Sequence, residues 1–247
     1  MATTLVLLGH PERRSFNGAW ADASARAARD LGHEVLFSAP HDEGFDAAEG
    51  PAHYTDPPSP FDPLKAQEGT LPADVAREAA RLRAADRLIV HFPMWWFAPP
   101  AMIKGWTDRV LAHGHLHDVD NRFDTGRFKR LEVLFCVTTG ARANESGPDG
   151  REGNWQMLLW PLAQTFRYLG ATVKAPVAVH GVHGYHTGAA QEALQARLSD
   201  TLARQAGLIA GWNDRANLSF NADSDFDASG RLRPDAPSHS PFIRQPG

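Results

Sequence analysis

The sequence predicts an α/β fold built on one doubly wound parallel sheet of five strands, and three observations carry that prediction. Five short apolar runs alternate along the chain with five helix-like segments, as in successive βαβ units. The runs are continuously apolar rather than alternately apolar and polar, so both faces of the sheet are covered. The fifth run contains Pro176, which has no N–H for a ladder and belongs at a sheet edge or a bulge. The strand order 2-1-3-4-5 gives the fifth strand such an edge.

The elements follow in order. Thr4 to Leu8 is the first strand, Phe16 to Leu31 an alanine- and arginine-rich helix, and Glu34 to Ser38 the second strand. Residues 40 to 71 are polar and proline-rich, a long excursion of the kind that is usually functional or disordered. Ala73 to Ala85 follows Pro72, a good first-turn residue, and sets Val75, Ala79 and Leu82 on one face. Arg87 to Phe92 is the third strand, and Pro100 opens a helix in which Ile103, Trp106 and Val110 line up. Leu131 to Val137 is the fourth strand, Trp155 to Leu169 a helix, Thr172 to His180 the fifth strand, and Gln191 to Leu208 the last helix. The class is flavodoxin-like. Residues 1 to 210 form the single expected domain, and 211 to 247 a polar tail that is either extended or packed on a partner subunit.

Composition narrows the function. The net charge is −4 and the 25 basic residues are spread rather than clustered, which argues against nucleic acid and anionic membranes as partners. One cysteine permits no internal disulfide, and Cys136 lies in an apolar run as a buried structural thiol. The first residues, TTLVLLGH, are too short for a secretory apolar segment and lack a basic start. No apolar stretch approaches the roughly 18 residues that span a bilayer. The expectation is a cytoplasmic protein.

In a sheet of this order, ligands sit beyond the carboxyl ends of the strands, at the switch point between strands 1 and 3. Three unusual stretches follow strands 1, 3 and 4: GHPERRSFN (9–17), PMWWFAPP (93–100) and TTGARANESGPDGREGN (138–154). In the first, His10, Ser15 and Asn17 stand where a helix begins, and could join its free N–H groups around a phosphate; Ser15 as a plain N-cap fits equally. No GxGxxG or GxxxxGK[ST] occurs. In the second, Trp95, Trp96 and Phe97 read alone suit either a core or a bed for a flat ring, and adjacent loop residues cannot all face one core. In the third, Thr138, Thr139 and Gly140 let backbone N–H groups come close to ring heteroatoms. Together the three suggest a flat, phosphate-bearing cofactor.

These residues resemble the NAD(P)H:quinone oxidoreductases of the flavodoxin-like fold, including bacterial drug-activity modulators and accessory proteins of potassium-efflux systems. The likeness runs over about residues 3 to 210. It is carried by HPERRSFN from His10 to Asn17, Glu68 and Gly69, FPMWWFAPPAMIKGW from Phe92 to Trp106 with Asp108 and Arg109, Thr138 to Gly140, Leu159 to Pro161, and Tyr168 to Gly170. The resemblance implies FAD, with FMN as the alternative, held by His10, Ser15, Phe16 and Asn17 at the phosphates. It places Pro93, Met94, Trp95, Trp96 and Phe97 along the flavin ring and Thr138, Thr139 and Gly140 at its polar edge. It also implies NAD(P)H as co-substrate, hydride transfer to a quinone-like acceptor that uses the same pocket in turn, and a homodimer. Alternatives are an FMN-dependent azo- or nitro-reductase, and a regulatory flavin- and nucleotide-binding subunit of a potassium-efflux system.

The departures bear on mechanism. Mammalian-type members carry a tyrosine and a histidine after the Thr-Thr-Gly, whereas this chain has neither between Gly140 and Trp160; gapless counting puts Ser146 and Glu152 there. A carboxylate beside a reduced, anionic ring is unfavourable unless protonated or turned away. The expectation is that backbone N–H groups of 139 to 141, with Arg142 or a histidine, take over. The candidates are His113, His115 and His117 in HGHLHD and His180, His183 and His186 in HGVHGYH. Of these, His117 falls where relatives have a pocket tyrosine. Glu152, His117 and Arg142 are thus the candidate catalytic residues. HxHxH lacks a fourth ligand at a convincing spacing, and Asp223 to Gly230 lacks the glycine and glutamate of a calcium loop, so no metal site is expected.

Overall fold

The computed structural model describes residues 1–245. The chain runs β1 (Thr3–Leu8), α1 (Phe16–Asp30), β2 (Glu34–Ser38), α2 (Pro63–Gln67), α3 (Ala73–Ala84), β3 (Arg87–Pro93), α4 (Ala101–Val110), β4 (Glu132–Thr138), α5 (Trp155–Tyr168), β5 (Thr172–Val173), β6 (Val177–Val179) and α6 (Ala189–Ala210). The sheet is parallel, in the order β2-β1-β3-β4-β5, with β6 also paired to β4. The flavodoxin-like expectation holds, with one correction. The fifth strand is not continuous but breaks over Lys174 to Pro176. The N–H of Ala175 turns from β4 to Ala216 O at 2.7 Å, and Arg215 binds the carbonyls of Ala175 and Pro176. Pro176 has no N–H with which to rejoin the ladder until β6.

Burial explains the layers. Leu5, Leu7, Leu88, Val90, Phe92 and Phe135 point to one face, against Val75 and Ala79 of α3, Ile103 and Trp106 of α4 and Phe166 of α5. Ile89, Leu134 and Cys136 point to the other, against Trp20 and Ala28 of α1 and Ile209 of α6. Each fully buried Leu or Phe contributes about 1.5–3 kcal/mol, which is why the strands are apolar on both faces. Cys136 is buried within this layer, and its burial pushes the thiol well above its ordinary range. No helix among the described residues is long and apolar enough to cross a membrane.

The excursion between β2 and α3 is ordered. Arg109 of α4 is fully buried, pairs with Asp74 at 2.9 Å, donates to Asp46 O at 2.6 Å, and lies over the Phe45 ring. Gln67 donates to Asp108 O at 3.1 Å. Gly105 is required here, because a Cβ would stand 2.0 Å from Ala47 O. Parts of the tail also pack on their own chain. Trp212 is buried and donates to Glu132 at 2.7 Å, Leu218 N bonds Val173 O at 2.8 Å, and Phe242 stacks on Trp160 of α5.

Beneath the sheet, a buried chain of hydrogen bonds runs Trp20 Nε1 to Gln205 Oε1 (2.7 Å), Gln205 Nε2 to Ser24 Oγ (2.7 Å), and Ser24 to His91 Nε2 (2.9 Å). Desolvation pushes the His91 imidazole down to about 3. Folded, it stays neutral; unfolded, it takes up a proton below its ordinary value of about 6.5. Its contribution to stability is therefore complete above pH 6.5 and declines on acidification, by about 1.4 kcal/mol per pH unit until about pH 3. Urea denaturation at pH 7 and pH 5 should show a loss that is about 2 kcal/mol smaller in His91→Gln than in the wild type; an equal loss in the variant would exclude His91 as a source.

Candidate functional site

The register sets the site. Leu8 of β1 pairs with His91, and Pro93 of β3 pairs with Thr138 of β4. The loops after β1, β3 and β4 therefore leave one end of the sheet together. Asn17 ties two of them, its Nδ2 donating to Thr138 Oγ1 at 3.0 Å.

The first loop prepares an anion site at the start of α1. Ser15 is the N-cap, accepting from Gly18 N at 3.2 Å. The next N–H groups, of Phe16 and Asn17, have no acceptor within the described residues, as at any helix start. His10 Nδ1 contacts both the Glu12 N–H at 2.9 Å and the Glu12 carbonyl at 3.1 Å; when it accepts from the N–H, the proton of a neutral His10 is on Nε2. Desolvation lowers the pKa of His10, partly countered by Glu12. Two charges beside this site, one acidic and one basic, are engaged elsewhere. Glu12 is neutralised by Arg14, whose side-chain hydrogen bonds hold its carboxyl down at about 2. Arg13 turns away, to Asp22 and to the Phe37 ring at 4.1 Å.

The second loop is strained. Trp95 N bonds Ala98 O at 3.0 Å and Ala98 N bonds Trp95 O at 3.1 Å, closing a two-residue turn on Trp96 and Phe97 at φ 50° and 63°. Two central residues at positive φ normally call for Asn or Gly. A bulky residue there costs on the order of 1–3 kcal/mol, and such strain gathers at functional sites. Exposure excludes one of the two readings left open by the sequence. Trp95, Trp96 and Phe97 are 45%, 94% and 53% exposed, so the trio is not core. The N–H groups of Trp96 and Phe97 have no acceptor within the described residues.

The third loop is clamped from behind by the segment after β6. Thr139 N bonds Val179 O, Val182 N bonds Thr139 O, and Gly181 N bonds Ala141 O, at 2.8–3.0 Å. Thr139 N–H is therefore not available to a ligand, contrary to expectation; the N–H groups of Gly140 and Ala141 have no acceptor within the described residues. Thr139 Oγ1 donates to Ala141 O at 2.9 Å, so its contact with His180 Nδ1, also 2.9 Å, must use the imidazole N–H as donor. Desolvation, with Arg197 second, lowers the pKa of His180 and keeps it neutral. Of the six candidate histidines, His180 is the one that braces this loop.

The loops enclose a cavity of about 200 Å³ lined by Met94, Trp96, Phe97, Gly140, Glu152 and Trp155, among others. Ser146 lies at its edge but is spent on structure, donating to Arg142 O at 2.9 Å. Glu152 opens into it. Arg142 is exposed, with its backbone N–H held by Glu145, and does not line it. His117 lines a different cavity, about 550 Å³ between α4 and α5, with Lys104, Asp108, Trp160 and Tyr168. The three catalytic candidates are not brought together.

The fold family described as flavodoxin-like matches residues 2–203. NAD(P)H dehydrogenase (quinone) 1 of Rattus norvegicus is 32% identical over 187 residues, 72% of this chain and 68% of that protein. The chain belongs to the NAD(P)H:quinone oxidoreductase family. Within that family, ribosyldihydronicotinamide dehydrogenase (quinone) of Mus musculus is 30% identical over 187 residues, 72% of this chain and 81% of its own length. A Klebsiella pneumoniae structure assigned as a quinone reductase superimposes with a TM-score of 0.83 at 28% identity, covering 95% of both chains.

Flavin fits the site on its own evidence. Asn17 is 4% exposed and its Oδ1 has no hydrogen-bond partner. A buried acceptor at this point wants a hydroxyl donor such as a ribityl chain offers. The unpaired N–H groups at the start of α1 suit phosphate, and those of Trp96, Phe97, Gly140 and Ala141 suit the oxygens and nitrogens of a flat ring. The strained turn and the role of His180 were not visible in the sequence. Tryptophan and phenylalanine carry no turn signal, and nothing local to HGVHGYH says which histidine meets Thr139.

Proposed function

We propose that the chain is a flavin-dependent NAD(P)H oxidoreductase that reduces quinones or similar acceptors by two electrons, donor and acceptor using one crevice in turn, with FAD as cofactor. The strained Trp96–Phe97 turn carries this reading: backbone energy is spent to hold two aromatic side chains and two unpaired N–H groups at the rim of a crevice. A bound flavin supplies the hydride chemistry. The chain's own part is to hold it: Phe16 and Asn17 N–H and His10 Nε2–H at the phosphates, Asn17 Oδ1 at a hydroxyl, and Gly140 and Ala141 N–H at the ring's polar edge. Those last donors favour negative charge on the ring, the task assigned in relatives to a tyrosine and a histidine that this chain lacks. Trp96, Phe97 and Trp155 wall the ring from water.

The exposed aromatic turn and the open cavity at His117 support a homodimer, since patches of this kind on a lone subunit mark an interface. Light scattering should give twice the 27.0 kDa chain mass.

The purified protein should be yellow, release FAD on acid treatment, and turn over NADH or NADPH with a quinone in the absence of any partner. Release of FMN with equal activity on azo compounds would favour an azoreductase. A colourless protein that takes up neither flavin would end the reading.

A further inference from the structure

Among the residues that line the crevice cavity, Glu152 is the one ionisable side chain. Around it stand Met94, Trp96, Phe97, Trp155 and Leu158, none of which carries charge. Its backbone is fixed, because Glu152 N donates to Glu145 O at 2.9 Å, and Gly150 packs so tightly on that turn that a Cβ would lie 2.2 Å from Glu145 O. The carboxylate is not cancelled by its neighbours. Arg151 gives its short contact, 2.9 Å, to Glu145 and only a 3.6 Å contact to Glu152. Two carboxylates thus share one guanidinium that is itself 76% exposed. Arg142 also faces solvent, and its N–H is spent on Glu145.

We infer that Glu152 determines the charge preference of the acceptor: the crevice takes planar acceptors that are cationic or carry a hydrogen-bond donor on the edge facing Glu152, and disfavours anionic ones. The inference rests on the oxidoreductase reading above and names its substrate class. Apolar and aromatic walls bind any flat ring without regard to substituents, so a single fixed charge becomes the discriminating element. At a half-exposed carboxylate a few ångströms from a bound unit charge, attraction or repulsion amounts to about a tenfold effect in each direction.

The test uses the full-length, flavin-loaded protein and three quinones of one ring system: neutral, sulfonated, and bearing a trimethylammonium group. In the wild type, kcat/KM for the cationic quinone should exceed that for the sulfonated one by about 100-fold, and added salt should shrink the ratio. Glu152→Gln should lower the ratio about tenfold or more, and Glu152→Lys should reverse it. Dissociation constants of redox-inert planar dyes of opposite charge, measured by titration, should shift in parallel. A ratio unchanged in both variants and insensitive to salt would overturn the assignment. Failure of the wild type to turn over even the neutral quinone would defeat the oxidoreductase reading instead, and the dye titrations would still decide the charge preference.

Discussion

Gly18→Ala should weaken flavin binding about 100-fold while leaving the sheet folded. Gly18 lies in the first turn of α1, where the loop from His10 to Ser15 doubles back over the helix start. A Cβ at Gly18 would stand 1.9 Å from Arg13 O and 2.8 Å from Arg13 C. Both neighbours are backbone, so neither can swing aside as a side-chain tip would. The loop must move, carrying Ser15 from its cap on Gly18 N and His10 from the crevice. Hydrogen bonds to a charged group are worth about 1.5–3 kcal/mol each, and losing one or two of them gives the stated factor. The core stays intact because the displaced loop is largely exposed. Titrating apoprotein with FAD, alongside far-UV circular dichroism, reads both quantities. Wild-type affinity in the variant would show that the helix start does not hold the phosphates.

Glu78→Ala should cost about 3–5 kcal/mol of stability, the range for removing one partner of a buried ionic network. Glu78 is 1% exposed and accepts from Ser38 Oγ at 2.6 Å and from Trp106 Nε1 at 2.9 Å. It also pairs with Arg81, which continues to Glu43 at 2.9 Å. One carboxylate therefore joins the end of β2, helix α3, helix α4 and the start of the long excursion. Removing it strands a buried indole N–H, a hydroxyl and part of a guanidinium. At about 2–4 °C per kcal/mol for a chain of this size, the melting temperature should fall by about 10 °C. A loss under about 1 kcal/mol would mean that water reaches these donors.

The two substitutions differ in what a reader of the sequence could foresee. Gly18 sits beside the recognisable HPERRSFN string, so its neighbourhood was marked; that it must be glycine depends on a carbonyl five residues back. Glu78 lies among Val75, Ala79 and Leu82 on a helix whose apolar stripe was legible. Beyond Arg81 on the same helix, its partners come from positions 28 and 40 residues away, and no local pattern records them. The same division runs through the site. His10, Ser15, Asn17 and the aromatic trio stand at one end of the sheet, as expected, because each follows a strand end and parallel topology gathers strand ends. His117 was reached by counting along the chain without gaps, and Arg142 as a stand-in for the missing tyrosine and histidine. The fold sends Arg142 to solvent and His117 to the cavity between α4 and α5.

The sheet, its order and the three loops that must meet were legible from local signals, because continuous apolar runs, helix-starting prolines and an edge proline are each carried within a few residues. What those loops offer a ligand is set by contacts between distant parts of the chain. Whether Thr139 N–H is free depends on Val179, 40 residues on, and whether Trp96 and Phe97 face core or crevice depends on a turn whose residues do not announce it. Such features are set by long-range hydrogen bonds that hold backbone in conformations its own side chains do not prefer, and a local reading cannot see them.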